Sequence, residues 1–145
     1  TGGIFATFTF GDGGTCATAP WTNDSGGSIP SSMIFSDGVT ACGTYIYGGG
    51  SSSAPATALL YAGTGFTTGT VYTAEMTVEN TLSSAVSVYA DFGGRAVSSI
   101  SLAGSTSGTF TVSWTADATG AADLRIWTSS ATSYDVVLHE VVISY

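Results

Sequence analysis

Apolar and polar residues alternate along several short segments of this chain, and this period of two constrains the fold more than any other feature. In residues 71–79 one face carries only apolar side chains, namely Tyr72, Ala74, Met76 and Val78. Residues 86–92 and 109–115 repeat the pattern. No window combines helix-forming residues with apolar positions at i, i+3, i+4 and i+7. Because successive side chains of a β-strand point to opposite faces, the pattern predicts strands and not helices.

The predicted strands are separated by turns rich in Gly, Ser and Asp. They cover residues 4–10, 33–35, 39–47, 56–61, 71–79, 86–92, 109–115, 123–128 and 134–145. Residues 134–145 are apolar on both faces, which predicts a central strand. Strands at this spacing predict a two-sheet antiparallel β-sandwich of the jelly-roll type. No break in composition marks a linker, so we expect a single domain over residues 1–145.

The charge composition excludes several classes of function. The chain has ten acidic residues, two arginines and no lysine, and its formal net charge is -8. Such a surface cannot neutralise phosphates, which argues against nucleic acid and against docking on anionic lipid. No apolar run is long enough for a membrane span. With 8% charged residues, the surface is expected to pack against neighbours, carry glycans or lie on sugar.

The two cysteines indicate the compartment. Cys16 and Cys42 form an even pair in a chain that starts at Thr1, which we interpret as the start of a processed protein or of a domain cut from a larger one. We predict a disulfide between them and not two buried thiols of a cytosolic protein. The expected location is secreted, extracellular or on the cell surface. A single histidine makes a zinc-type metal site a poor explanation of the cysteines.

The second half of the chain resembles jelly-roll carbohydrate-binding modules. Residues 69–76 (GTVYTAEM) resemble their G-x-x-Y-x-x-x-hydrophobic strand, and residues 108–116 (GTFTVSWTA) resemble their W-x-x-y-x-v-x-f-t-a strand. Residues 122–126 and 134–143 resemble their closing strand pair. The likeness covers residues 69–145. It departs at the last strand, where His139 stands in the place of the usual acid and Glu140 follows it.

This resemblance implies a structural calcium, which these modules often carry. Asp12, Glu140 and nearby carbonyl groups would supply the oxygen ligands. We expect no other cofactor.

A second resemblance lies at the amino end. Residues 2–8 (GGIFATF) resemble the mature start of camelysin-like biofilm-fibre subunits. In related filaments, a terminal strand of one subunit completes the sheet of the next. Residues 1–10 would then be a donor strand, whose apolar side chains are Ile4, Phe5, Phe8 and Phe10. Such a strand would be an aggregation hazard at an open edge, whereas strand addition would bury it and yield a homopolymer.

The chemistry of an enzyme is missing from the sequence. His139 is the one candidate base, and it lies in a strongly apolar segment, where a buried histidine with satisfied hydrogen bonds is expected. Glu75 and Glu79 would stand roughly 13 Å apart along a strand, too far to act as a glycosidase pair. We therefore predict that the protein is not an enzyme.

Sugar binding needs exposed aromatic rings beside polar groups. Our preferred platform consists of Trp127 and Arg125, which share one strand face, together with Asp123 and Trp21. Further candidate rings are Tyr45, Tyr47, Tyr89 and Tyr134. Asn23 begins an Asn-Asp-Ser glycosylation sequon in a predicted loop.

Two functions remain open from sequence alone. The leading hypothesis is a structural subunit of an extracellular filament or surface assembly that polymerises through its amino-terminal strand. The alternative is a non-catalytic carbohydrate-binding module of a secreted polysaccharide-degrading enzyme, with a polysaccharide as partner. A virion or other surface protein is a third and weaker reading.

Overall fold

The computed structural model of this chain describes residues 2–12, 15–38, 41–55, 57–94 and 96–145. Within these residues the secondary structure is β, apart from one 3-10 turn at Ser31–Met33. The strands, in chain order, are β1 (Ile4–Thr9), β2 (Gly11–Asp12), β3 (Thr15–Cys16), β4 (Thr22–Asn23), β5 (Ile34–Ser36), β6 (Cys42–Tyr45), β7 (Leu59–Thr64), β8 (Val71–Asn80), β9 (Val86–Phe92), β10 (Ala96–Leu102), β11 (Ser107–Thr115), β12 (Ala121–Thr128) and β13 (Val136–Ser144). Among the described residues there is no helix long and apolar enough to cross a membrane.

The strands form two antiparallel sheets with a shared core, which confirms the predicted jelly-roll sandwich. The six-stranded sheet has the order β11-β8-β13-β6-β5, with β1 also paired to β13. The five-stranded sheet has the order β10-β9-β12-β7-β4. Strands β2 and β3 form a separate two-stranded ribbon.

The core lies between the sheets and is built from the apolar half of each alternating strand. Met76 of β8 and Val88 of β9 are fully buried. Phe92 and Trp114 stack across the sandwich with ring centroids 5.4 Å apart. Each such side chain stabilises the fold by about 1.5–3 kcal/mol on burial. The alternation in the sequence is thus the pattern of core and surface.

Strand β13 lies in the interior of its sheet, as its two apolar faces predict. It pairs with β8 on one side and with β6 and β1 on the other. The register to β8 shifts between Leu138 and Glu140, which is a β-bulge at His139. The bulge locally bends the strand and re-aims side chains.

The amino-terminal strand pairs within its own domain, which corrects the donor-strand hypothesis. Strand β1 runs antiparallel to β13, with Phe8 opposite Val141. Phe10 is 2% exposed, and Phe5 stacks on Phe66 at 4.4 Å. Of the four predicted donor side chains, Ile4 is the exposed one, at 64%. The strand therefore completes this protein's own sheet, and three of its four apolar side chains, those of Phe5, Phe8 and Phe10, are buried or partly buried.

Three parts of the first-half and mid-chain prediction need correction. Strand β10 was not predicted, although it forms a hairpin with β9 across a turn at Gly93 and Gly94. The predicted strand over residues 39–47 is present only as β6, and residues 39 and 40 lie outside the described residues. The predicted loop over residues 15–32 contains the short strands β3 and β4.

Candidate functional site

The outer face of the five-stranded sheet carries an open cleft of about 690 Å³. Its floor is formed by the outward residues of β7 and β12, and its ends by the turns that follow β4, β9 and β11. The lining residues are Asp24, Leu60, Ala62, Gly63, Thr64, Gly93, Gly94, Trp114, Asp117, Thr119, Ala121, Ala122, Asp123 and Arg125. Hydroxyl, carboxylate and guanidinium groups thus converge on a short apolar floor.

The position of Arg125 and Asp123 follows from the alternation of β12. Ala122, Leu124 and Ile126 point into the core, so the residues between them point outward. Asp123 lies opposite Ala62 of β7, and Arg125 lies opposite Leu60 of β7 on one side and Asp91 of β9 on the other. Because cross-strand partners share a face, these residues form one surface.

A two-pronged ion pair fixes the guanidinium. Arg125 donates from Nε to Asp91 Oδ1 at 3.0 Å, and Nη2 donates to the other carboxylate oxygen. The hydrogen bond to Asp91 raises the pKa of Arg125, partial burial lowers it by less, and the charges of Asp91, Asp24 and Asp123 add to the rise. Arg125 is thus a permanent cation held in a fixed orientation. A guanidinium has five N–H donors, so further donors remain for a ligand.

Trp127 does not form the predicted exposed platform. Its side chain is on the outer face, as predicted, but it is only 1% exposed. The segment between β6 and β7 lies over the ring, since a Cβ added at Gly50 would fall 2.4 Å from Trp127 Cδ1. The indole Nε1 donates to the Ser51 carbonyl at 2.8 Å. Trp127 therefore anchors this segment and supports Arg125, whose Cζ lies 5.9 Å from the ring centroid.

Trp21 is also buried and is a core residue. It is 3% exposed and packs against Phe8, Phe10 and Tyr61, with ring centroids 5.5, 5.8 and 5.7 Å away. It thus lies between the sheets, beside β1, and away from the cleft. The structure brings Arg125 and Asp123 of the predicted platform together and separates both tryptophans from solvent.

The cleft also contains residues that the sequence analysis did not assign to a site. Asp24 and Asp117 of the cleft come from turns, and Asp91, which holds the cleft residue Arg125, comes from a strand that was treated only as core. Asp91 could have been recognised from the alternation along β9, which places its side chain on the outer face because that of Phe92 points inward. The turn residues carried no such signal, because their position depends on the packing of the whole sandwich.

Asn23 closes the turn in which its sequon lies. Its Oδ1 accepts hydrogen bonds from the amides of Ser25 at 2.9 Å and Gly27 at 3.2 Å. The side chain is half-buried. Glycosylation of Asn23 stays a prediction.

The structure joins Cys16 and Cys42 in a disulfide, with Cα atoms 5.4 Å apart. The bond ties β3 of the small ribbon to β6 of the six-stranded sheet. It therefore fixes the chain between β1 and β5, a region with few regular strand pairs.

His139 is engaged in structural hydrogen bonds. Nδ1 lies 2.8 Å from the Cys42 carbonyl oxygen and Nε2 lies 2.8 Å from Glu79 Oε1. Both neighbours are oxygen acceptors, so each bond needs a hydrogen on the ring nitrogen that faces the oxygen. The predicted lack of catalysis stays a prediction.

The residues present do not assemble a calcium site that we can describe. Glu140 lies on the outer face of β13, opposite Thr77 and Thr9. The side chain of Asp12 lies outside the described part of the chain. Among the described residues, no group of three or more His, Cys, Asp or Glu side chains is placed to hold a metal ion. We therefore derive no step through calcium.

Known structures share this fold. The CBM22-1 xylan-binding domain from Paenibacillus barcinonensis Xyn10C superposes over 98% of this chain and 94% of its own, with a TM-score of 0.67 and 13% identity. A CBM36 module in complex with calcium and xylotriose superposes over 96% and 99%, with a TM-score of 0.54 and 15% identity. The fold is that of jelly-roll carbohydrate-binding modules. The sugar-binding EclA C-terminal domain aligns over 58% of this chain and 64% of its own, less than two thirds of its length, with 20% identity and a TM-score of 0.50.

Sequence comparison adds nothing to this likeness, because no family model and no curated protein matches the chain. The resemblance of residues 69–145 to carbohydrate-binding modules is confirmed at the level of fold. The leading functional hypothesis, a filament subunit that polymerises by strand exchange, is wrong. Strand β1 is already paired within its own domain, and the three solved structures named above are described as sugar-binding, xylan-binding or carbohydrate-binding. The camelysin-like resemblance finds no support among them.

Proposed function

We propose that this protein is a non-catalytic module that binds a neutral polysaccharide chain in the cleft on the five-stranded sheet, outside the cell. The observation that carries the proposal is the cleft itself. It holds the fixed cation Arg125 between the carboxylates of Asp24 and Asp123, above the apolar side chains of Leu60 and Ala62. The disulfide supports an oxidising, extracellular location.

This arrangement suits the chemistry of sugars. Each sugar hydroxyl both donates and accepts hydrogen bonds, so a site needs acceptors and donors side by side. Asp24 and Asp123 supply charged acceptors, and Arg125 supplies donors whose geometry is set in advance by Asp91. Charge-assisted hydrogen bonds are the stronger kind. The apolar floor can contact the C–H faces of a pyranose ring.

The charge of the cleft favours a neutral ligand. Asp24 and Asp123 line it, and the cation among the described lining residues, Arg125, is already paired with Asp91. Together these described residues carry more negative than positive charge, which disfavours carboxylated or phosphorylated chains. Xylan and β-glucan backbones without uronic acids are the ligand class we expect.

The proposal is tested with Asp123→Ala, since Asp123 is exposed and forms no salt bridge within the part of the chain that the structure describes. Losing a charged acceptor should weaken binding to a neutral polysaccharide about tenfold or more, measured by affinity electrophoresis in soluble xylan and β-glucan gels. Its melting temperature should stay that of the wild type.

Glu75→Ala is the matched control, because Glu75 is an exposed strand carboxylate on the opposite sheet. It should bind as the wild type does. Equal retardation of wild type, Asp123→Ala and Glu75→Ala would contradict the assignment of the cleft. No retardation of the wild type in any neutral polysaccharide would contradict the function.

A further inference from the structure

The opposite face of the sandwich carries a line of aromatic rings that the cleft does not use. We call Phe35, Tyr45 and Tyr134 the aromatic strip. The ring centroids are 5.7 Å apart from Phe35 to Tyr45 and 5.6 Å apart from Tyr45 to Tyr134, and both contacts are edge-to-face. His139 extends the line at the Phe35 end, with a centroid distance of 5.8 Å. The four rings thus form one connected row.

The row has a defined base in the sheet. Tyr45 of β6 is the cross-strand partner of Val137, which also pairs with Glu79 of β8. Val137 therefore faces away from the main core, yet it is 0% exposed. Gly43, the partner of Phe35, leaves the space that Val137 fills, because an added Cβ would meet Val137 Cγ1 at 2.5 Å. The rings and their base are packed as one unit.

One end of the row is exposed and the other carries a carboxylate. Tyr134 is 51% exposed, and Phe35 and Tyr45 are half-buried. At the far end, Glu79 is 38% exposed and is held by its hydrogen bond to His139. Because His139 is bonded at both ring nitrogens, the edge of the row is fixed in place. Aromatic surface, phenol hydroxyls and a carboxylate acceptor occur together.

We propose that the aromatic strip is a second carbohydrate-binding surface, which takes a single neutral polysaccharide chain. Sugar rings pack their C–H faces on aromatic side chains while their hydroxyls bind nearby polar groups, here Tyr134 and Glu79. Because the rings meet edge to face, the half-exposed ring of Tyr134 offers the stacking face, and Tyr45 and Phe35 hold that ring in place. The ligand class is that of the cleft, but binding at the strip does not depend on the cleft.

Other occupants fit the strip less well. A stable protein partner covers about 800 Å² on each side, which far exceeds a row one ring wide with a single half-exposed tyrosine. An anionic polymer would approach a chain of net charge -8 beside Glu79. A linear neutral polymer has the right width and charge.

A consequence is that the module holds two chains at once. The cleft is on the outer face of the five-stranded sheet and the strip is on the outer face of the six-stranded sheet, so the two surfaces point in opposite directions. Two such surfaces would cross-link neighbouring chains in a network, and binding to an insoluble polymer would gain from avidity.

The test counts binding sites by calorimetric titration with xylohexaose and cellohexaose. The wild type is expected to bind two molecules of the better hexasaccharide per chain. Tyr134→Ala and Asp123→Ala should each keep one site at the wild-type affinity and weaken the other about tenfold or more, and the double variant should weaken both. Tyr134→Phe keeps the ring but loses the hydroxyl, so it should still bind two molecules, the one at the strip less weakened than in Tyr134→Ala. Tyr145→Ala is the control, because Tyr145 is 54% exposed and lies outside both surfaces.

The strip proposal is overturned if Tyr134→Ala still binds two molecules at the wild-type affinity, or if the wild type binds one molecule and only Asp123→Ala weakens that binding. In that case the rings only shield Val137 from solvent. If the wild type binds one molecule and only Tyr134→Ala weakens that binding, the strip is the binding surface and the cleft is not. A wild type that binds neither hexasaccharide contradicts both. Loss of the strip should lower retention on insoluble xylan roughly tenfold.

Discussion

Replacing Trp127 separates a structural role from a role at the ligand. The ring is 1% exposed and its Nε1 donates to Ser51. Trp127→Ala therefore removes a fully buried indole, which costs about 3–5 kcal/mol because the site cannot collapse completely. For a domain of this size, each kcal/mol lowers the melting temperature by roughly 2–4 °C, so we expect a decrease on the order of 10 °C.

Trp127→Phe is a milder substitution at the same position. It keeps most of the apolar contact with Gly50 and Tyr89 but leaves the Ser51 carbonyl without its donor. Because Ser51 is exposed, water can replace the donor, and the loss should be about 1–2 kcal/mol. The unfolding midpoints are measured by circular dichroism in urea and by thermal scans.

Binding decides the interpretation. Retention on xylan at low temperature, where both variants are folded, should stay within about threefold of the wild type, because Arg125 is still held by Asp91. A Trp127→Ala protein that melts within about 2 °C of the wild type and yet fails to bind xylan would refute the reasoning. The ring would then be a solvent-facing sugar contact and not an anchor.

Two further predictions concern the disulfide and the charge of the cleft. Reduction of the Cys16–Cys42 bond, which spans 26 residues, should destabilise the fold by about 3–4 kcal/mol on the chain-entropy model. The urea midpoint of unfolding should therefore be lower with reductant than without it. An unchanged midpoint would contradict this prediction. The double variant Asp24→Asn, Asp123→Asn keeps polar side chains but removes two negative charges. The ratio of its affinity for glucuronic-acid-substituted xylan to its affinity for unsubstituted xylan should therefore be several-fold higher than that of the wild type. The increase in this ratio should be larger at low salt than at high salt. Equal affinity ratios for wild type and variant at all salt concentrations would exclude an electrostatic origin.

The carboxyl half was predictable because its strands are regular. From Tyr72 to Glu79 in β8 and throughout β11, the inward positions carry apolar residues or glycine and the outward positions are polar, so period and register follow from the sequence. Strand β10 could not be predicted in this way, because its inward Ser98 is polar and its outward Val97 is apolar and 55% exposed. Both residues break the alternation of apolar and polar positions. The hairpin turn at Gly93 and Gly94 was the remaining signal.

The site was predictable only in part. Alternation along β12 correctly placed Arg125, Asp123 and Trp127 on one outer face. It could not show that the segment between β6 and β7 folds over Trp127, since that contact joins residues 76 positions apart. Nor could it show that Asp24 arrives at the same cleft from a turn. A period of two reports which face a residue occupies, but not what covers that face.

The amino-terminal strand shows the same division. Its sequence determined that residues 4–10 are extended, apolar and in need of a partner. Whether that partner was the same chain or a neighbour depended on β13, which lies at the other end of the sequence and offers β1 a free edge to pair with. Local sequence sets the conformation and the face of a strand, because these depend on neighbouring side chains. Pairing between distant strands depends on the complete sandwich, so only the tertiary structure decided that this strand closes its own sheet and that the cleft and the strip lie on opposite faces.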